Sequence, residues 1–159
     1  MAHPPRIPVR LPWGTSVTYF LTICERDRKN AWANEGFFSG FKAAADKLTN
    51  QRLWFIKAAV VMPDHLHLLA TPLQERDQPV GNLSAALKRW TRSQVPSPSW
   101  NWQSGSFDRL LRSTDTIERK WEYMRENPVR AGLVEQWQDW QWSLGLREYR
   151  DLELMMSGN

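Results

Sequence analysis

Apolar and polar positions alternate along residues 17–24 (VTYFLTIC) and again along residues 65–71 (HLHLLAT), and a period of two marks a strand with one buried side. In the first stretch Val17, Tyr19, Leu21 and Ile23 point one way, and Thr18, Phe20 and Thr22 the other. Residues 52–61 form an apolar, β-branched run that predicts a second strand. Met62-Pro63-Asp64 lies between it and residues 65–71; Pro and Asp pre-set a turn, so the two runs read as antiparallel neighbours. Residues 106–112 (SFDRLLR) predict a fourth strand. Helical spacing appears three times. Phe37, Phe41, Ala44, Ala45 and Leu48 predict a helix over 37–50; Val80, Leu83, Leu87 and Trp90 predict one over about 80–95; Ile117, Trp121 and Met124 predict one over 115–127. The order β-α-β-β-α-β followed by a helix matches the split βαβ, ferredoxin-like plan of the α+β class. That plan is an antiparallel sheet with helices packed on one face, an open second face and, here, a C-terminal helix.

The flanks read differently. Residues 1–14 hold four Pro and two Arg and read as an extended arm, either a disordered tail or a DNA-contacting segment. Residues 15–145 read as one domain and 146–159 as a charged tail. The stretch carrying Trp137, Trp140 and Trp142 has no clear assignment. A single cysteine, Cys24, excludes an internal disulfide and a multi-cysteine zinc site, and suits a reducing cytosol. Membrane spans and an apolar export signal are not expected, so the cytoplasm is the expected location. The net charge of +4 suits a nucleic-acid partner without proving one.

Chemistry concentrates at two places. Only three histidines are present, and two, His65 and His67, share one face of a strand while Leu66 and Leu68 share the other. Two imidazoles converging this way can hold a metal ion; strand histidines are otherwise ordinary polar residues. Tyr123 lies off the apolar stripe of its helix, and Asn127, four residues on, projects from the same side, with Thr116 and Lys120 flanking it. On these residues alone Tyr123 reads first as a half-buried tyrosine whose hydroxyl finds any partner.

Taken together, VMPDHLHLLATP (61–72) and WEYMRENPVRAGLVE (121–135) resemble the HUH class of single-strand DNA transposases, and within it the REP-associated tyrosine transposases. Residues 62–69 look like that group's histidine strand and 123–134 like its nucleophile helix; TYFLTICERDR resembles its opening strand. The likeness covers roughly residues 17–142, and Asp64 stands where Asn is commoner. The resemblance implies a ferredoxin-like HUH domain. It implies that Tyr123 is the catalytic nucleophile and that His65, His67 and Asn127 bind a divalent metal ion, magnesium or manganese. The implied reaction is cleavage and rejoining of single-stranded DNA near REP-like hairpins through a 5′-phosphotyrosine. It implies single-stranded or hairpin DNA as partner, no membrane, and a monomer, with a dimer as the open alternative. Two rivals stand beside this reading: a domesticated hairpin-binding protein without catalysis, and a metal-dependent phosphodiesterase using water, which would not need Tyr123.

The basic residues are then candidates for phosphate contact, DNA-binding by Lys88, Arg89, Arg92, Arg109, Arg112 and Arg125. Without the resemblance, the basic face of the 80–95 helix reads equally as an ordinary solvated face. Trp100 and Trp102, in a polar loop, either stack on an unpaired base or close the core.

Overall fold

The computed structural model describes residues 17–74, 78–112 and 114–157. The expected arm over 1–14 lies outside them. The elements run β1 (Thr18–Cys24), α1 (Glu35–Asn50), β2 (Trp54–Val61), β3 (His65–Pro72), α2 (Val80–Gln94), β4 (Phe107–Leu111), α3 (Thr114–Arg125), α4 (Asn127–Arg130), a 3-10 turn (Trp137–Asp139), β5 (Ser143–Leu144) and α5 (Tyr149–Ser157). The sheet order is β4-β1-β3-β2-β5 with every pair antiparallel. β3 lies between β1 and β2, which is the split βαβ arrangement the element order predicts.

Alternation sorts the strands into two faces. The first carries Val17, Tyr19, Leu21, Ile23, Leu66, Leu68 and Ala70, packed against Phe37, Phe41, Ala44, Ala45 and Leu48 of α1 and Val80, Leu83 and Leu87 of α2. Asn34 starts α1 two residues earlier than the apolar spacing suggests, because its side chain accepts the Phe37 N–H at 2.9 Å. In β2 the register shifts between Ile56 and Ala58, so both Ile56 and the odd-numbered Ala59 and Val61 reach this first core.

The second face is only half open. Ala58, Val60, Met62, Leu69 and Leu111 form a smaller core there with Trp121 and Met124 of α3. α1 and α2 thus share one face as expected, and α3 lies across the other. What remains uncovered is the end carrying His65 and His67.

The tail is part of the sheet. β5 pairs with Ala59 and Val60, and the Val61 N–H donates to Trp142 O at 2.8 Å, covering the β2 edge. Arg147 follows the bulge: its N–H donates to Lys57 O (2.9 Å) and its Nε to Ile56 O (3.2 Å). The buried Lys57 ammonium pairs with Glu148 at 3.3 Å, and Tyr149 packs edge-on against Phe55. Residues 146–157, read from sequence as a charged tail, are thereby anchored to β2.

The loop after β1, predicted only as polar, is organised by Glu25, whose side chain is fully buried. Its carboxylate accepts N–H bonds from Asp27 (2.8 Å), Lys29 (2.7 Å) and Asn101 (3.1 Å). Its own N–H donates to Asp64 O at 2.9 Å. One acid therefore ties three loops together behind the histidine strand. Burial alone would raise this carboxyl, but the three backbone donors and the Lys29 ammonium outweigh it and hold its pKa below the usual range. A depressed carboxyl stabilises the fold fully above its unfolded pKa, and that contribution is lost as pH falls through the lower folded value. Glu25→Ala should cost about 1–3 kcal/mol at neutral pH by stranding buried donors. Urea unfolding at neutral and acid pH should show the gap to the parent protein shrinking with acid.

Candidate active site

β3 is hydrogen-bonded on both sides, to β1 with Thr22 opposite His67 and Cys24 opposite His65, and to β2 with Val60 opposite His67. Alternation therefore sends both imidazoles to the second face while Leu66 and Leu68 enter the first core. The rings lie 4.8 Å apart, centre to centre. Each is held through Nδ1. The His65 Nδ1–H donates to the Asp64 carboxylate at 2.7 Å, and Asp64 also accepts from Arg28 Nε at 2.9 Å. His67 Nδ1 shares a 2.8 Å hydrogen bond with the Thr22 hydroxyl, and its ring stacks on Phe20 at 5.3 Å. Nε2 is the ring nitrogen that these bonds do not engage. Burial pushes the pKa of His67 down to about 3, with repulsion from His65, Lys120 and Arg130 adding to it, so the ring is neutral at physiological pH.

α3 supplies the facing groups. Trp121 and Met124 bury its apolar stripe, and Tyr123, off that stripe, is 54% exposed. Lys120 Nζ sits 4.0 Å from the Phe20 ring centre and 5.1 Å from that of Tyr123. Contacts thus run from His67 through Phe20 and Lys120 to Tyr123. On the other side the Arg130 guanidinium lies 4.2 Å from the Tyr123 ring centre. Its Nη2 donates to Tyr123 O (2.7 Å) and Asn127 Oδ1 (2.8 Å). Asn127 is the first residue of α4, not the last of α3: the helix breaks at Glu126, and the buried Pro128 follows in the first turn of α4. The Asn127 amide nitrogen is buried without a partner. Burial, then Arg109, also lowers the pKa of Lys120. Sequence reasoning placed Lys120 beside Tyr123 but missed Arg130, although seven residues is two helical turns; it missed Thr22 because its role depends on strand register.

No family model matches the chain. Relatives of known name do. A Haemophilus influenzae protein provisionally named a REP-associated tyrosine transposase is 28% identical over 138 residues, 79% of this chain and 77% of its own length. The REP-associated tyrosine transposase of Escherichia coli K12 is 27% identical over 126 residues, 79% of this chain and 74% of that protein. The chain is a relative of the REP-associated tyrosine transposases. A solved REP-associated tyrosine transposase bound to a REP hairpin shares the fold, with a TM-score of 0.72 at 24% identity over 96% of this chain and 86% of that one. A provisionally assigned transposase of Deinococcus radiodurans follows at 0.51 and 18%, covering 76% of this chain and 97% of that one.

The basic residues that the sequence offers for phosphate contact are spread over both faces of the sheet. α2 packs on the first face, away from Tyr123. Lys88 Nζ donates to Gln103 O (2.9 Å) and Gly105 O (2.7 Å), and burial lowers its pKa. Arg92 donates to Trp100 O at 3.1 Å and lies over that ring. Both cations hold the 96–105 loop. Arg89 is exposed beside Trp90 on the same helix. Arg125 stacks on Trp137 at 4.4 Å. Arg109 is exposed opposite Phe20, on the face of the histidines, and Arg112 is exposed after β4. Trp100 is a buried core residue and Trp102 is partly buried against the same core, both clustered with Trp32 and Phe37. Among the described residues no helix is long and apolar enough to cross a membrane.

This division predicts different outcomes for different cations. Lys88→Met and Arg92→Met should each lower stability by about 1.5–3 kcal/mol, the worth of a hydrogen bond from a charged group. Arg109→Ala should stay within about 0.5 kcal/mol of the parent, as exposed sites do. Urea denaturation of the three variants measures the contrast.

Proposed function

We propose that this chain is a DNA-processing enzyme of the transposase type, which binds hairpin-bearing single-stranded DNA and cuts and rejoins it through Tyr123. The observation that carries this reading is an exposed tyrosine, flanked by Lys120 and Arg130, on the sheet face that holds the His65 and His67 rings 4.8 Å apart. The substrate class is taken from relatives named for REP elements and from a fold neighbour solved with a REP hairpin.

The residues present fit a divalent cation. His67 is neutral, and His65 is oriented by a carboxylate, the arrangement that fixes a metal-binding imidazole. Among the described residues no group of three His, Cys, Asp or Glu side chains could hold a metal ion, so the third ligand in this reading would be the Asn127 side-chain oxygen, which here accepts from Arg130 at 2.8 Å. In this reading His65, His67 and Asn127 would hold magnesium or manganese, and the ion would supply polarisation of the scissile phosphate. The protein's own groups do the rest. The Tyr123 oxygen attacks phosphorus in line with the 3′-oxygen. The new P–O bond to tyrosine forms as the P–O3′ bond breaks; the phenolic proton leaves to solvent and the departing 3′-oxygen takes one up. Lys120 and Arg130 stand where negative charge develops. The 5′-phosphotyrosine conserves the bond, so a 3′-hydroxyl can reverse the step. Histidines and tyrosine come from one chain, so a monomer suffices.

Cleavage of an end-labelled single strand carrying a hairpin tests the reading. Tyr123→Phe and His67→Ala should reduce cleavage to background while hairpin affinity is unchanged, because phosphate contacts elsewhere supply most of it. Undiminished cleavage by Tyr123→Phe would leave the water-using mechanism instead; no cleavage by the parent protein, with binding intact, would leave a hairpin-binding module. Asp64→Ala should weaken manganese binding by about 10–100-fold, measured by calorimetry, through loss of the His65 orienting bond.

A further inference from the structure

The edge of the sheet beside the histidines has a feature that the cleavage chemistry does not use. Phe107, the first residue of β4, is 69% exposed, although a bare aromatic on a sheet edge is unfavourable. Its partner across the ladder is Thr22, and the partner of Thr22 on the next strand is His67. Phe107, Thr22 and His67 therefore form one row on one face, with Phe107 two strand spacings, about 10 Å, from the imidazole. Beside Phe107 opens a cleft of about 190 Å³ lined by Thr22, Cys24, Gln103, Ser104, Ser106 and Phe107. That exceeds the roughly 150 Å³ of a protein cavity able to take benzene.

The cleft is built rather than incidental. Its outer wall is fastened from behind: Lys88 binds the carbonyls of Gln103 and Gly105, and the Gln103 N–H donates to Cys24 O at 2.8 Å. Gly105 turns the wall at φ 73°, in the left-handed region that favours glycine. The cleft is thus lined by an exposed aromatic residue, Phe107, and by the polar residues Gln103, Ser104 and Ser106. A flat heteroaromatic with polar edges matches both.

We propose that this cleft takes an unpaired nucleobase of the DNA strand, stacked on Phe107, next to the phosphate that lies at the histidine pair. The proposal rests on the single-strand DNA reading above and adds a positioning site to it: a base held there sets which phosphate meets Tyr123. It also gives Lys88 a role away from the phosphates, that of holding the cleft wall.

The probes are a thymidine oligonucleotide of about 12 residues, within the site sizes of single-strand binders, and an abasic oligonucleotide of the same length that keeps every phosphate. Fluorescence anisotropy of the full chain should give tighter binding to the thymidine strand. Phe107→Leu should reduce that preference by about 5- to 100-fold, the stacking of one base, with affinity for the abasic strand unchanged. Phe107→Tyr, which keeps the ring, should retain the preference. Equal affinity of the parent protein for the two strands, or a preference that survives Phe107→Leu, overturns the base site while Tyr123-dependent cleavage can still stand. Failure to bind either strand overturns the DNA reading and the base site with it.

Discussion

β3 is the third of five strands and is paired along both edges, so its pleat leaves no freedom over which side each residue takes. A slip of one residue would bury the two imidazoles and expose Leu66 and Leu68. Burial of those leucines against α1 and α2 therefore decides where the histidines point. The Glu25 carboxylate adds to this by fixing the loops behind the strand, and the Glu25 N–H grips Asp64 O at the turn before His65. The site is a consequence of core packing on the far side of the sheet.

Electrostatics then divides the labour among side chains. Lys120 and Arg130 gather near His67 and Tyr123, and together with burial they keep His67 uncharged. A neutral imidazole suits a metal cation, while the same two cations suit a phosphate. The arrangement is specific to α3 and α4. The helix breaks at Glu126, just before Pro128, and Arg130 reaches back to bond both Tyr123 O and Asn127 Oδ1. On the opposite side of the sheet similar cations have another purpose. Lys88 and Arg92 spend their donors on carbonyls of the 96–105 loop, which shapes the edge near Thr22 and Cys24.

What the sequence made legible follows from which signals are local. The strands β1, β3 and β4, the helices α1 and α2, and the shared face of His65 and His67 all come from spacing within one element. Tyr123 and Asn127 were legible as neighbours because four residues is about one turn. The rest depended on tertiary partners. The bulge at Lys57 changes parity inside an apolar run, where no alternation exists to betray it. β5 is two residues long and forms only because the β2 edge needs a partner. The bonds of Lys88 and Arg92 to loop carbonyls were not legible, because composition cannot distinguish a solvated lysine from one whose ammonium is bonded to a loop. Trp100 and Trp102 sat in a polar loop by sequence, yet Trp32 and Phe37, far away in the chain, draw both against the core.

The central claim is that the oxygen of Tyr123 becomes joined to DNA phosphorus. Incubating the protein with hairpin-bearing single-stranded DNA and manganese, followed by denaturation, nuclease trimming and peptide mass spectrometry, measures this directly. The account predicts a nucleotide adduct on the peptide carrying Tyr123 and none on those carrying Tyr19 or Tyr149. An adduct on another residue, or strand cleavage with no protein–DNA adduct at any stage, would contradict it.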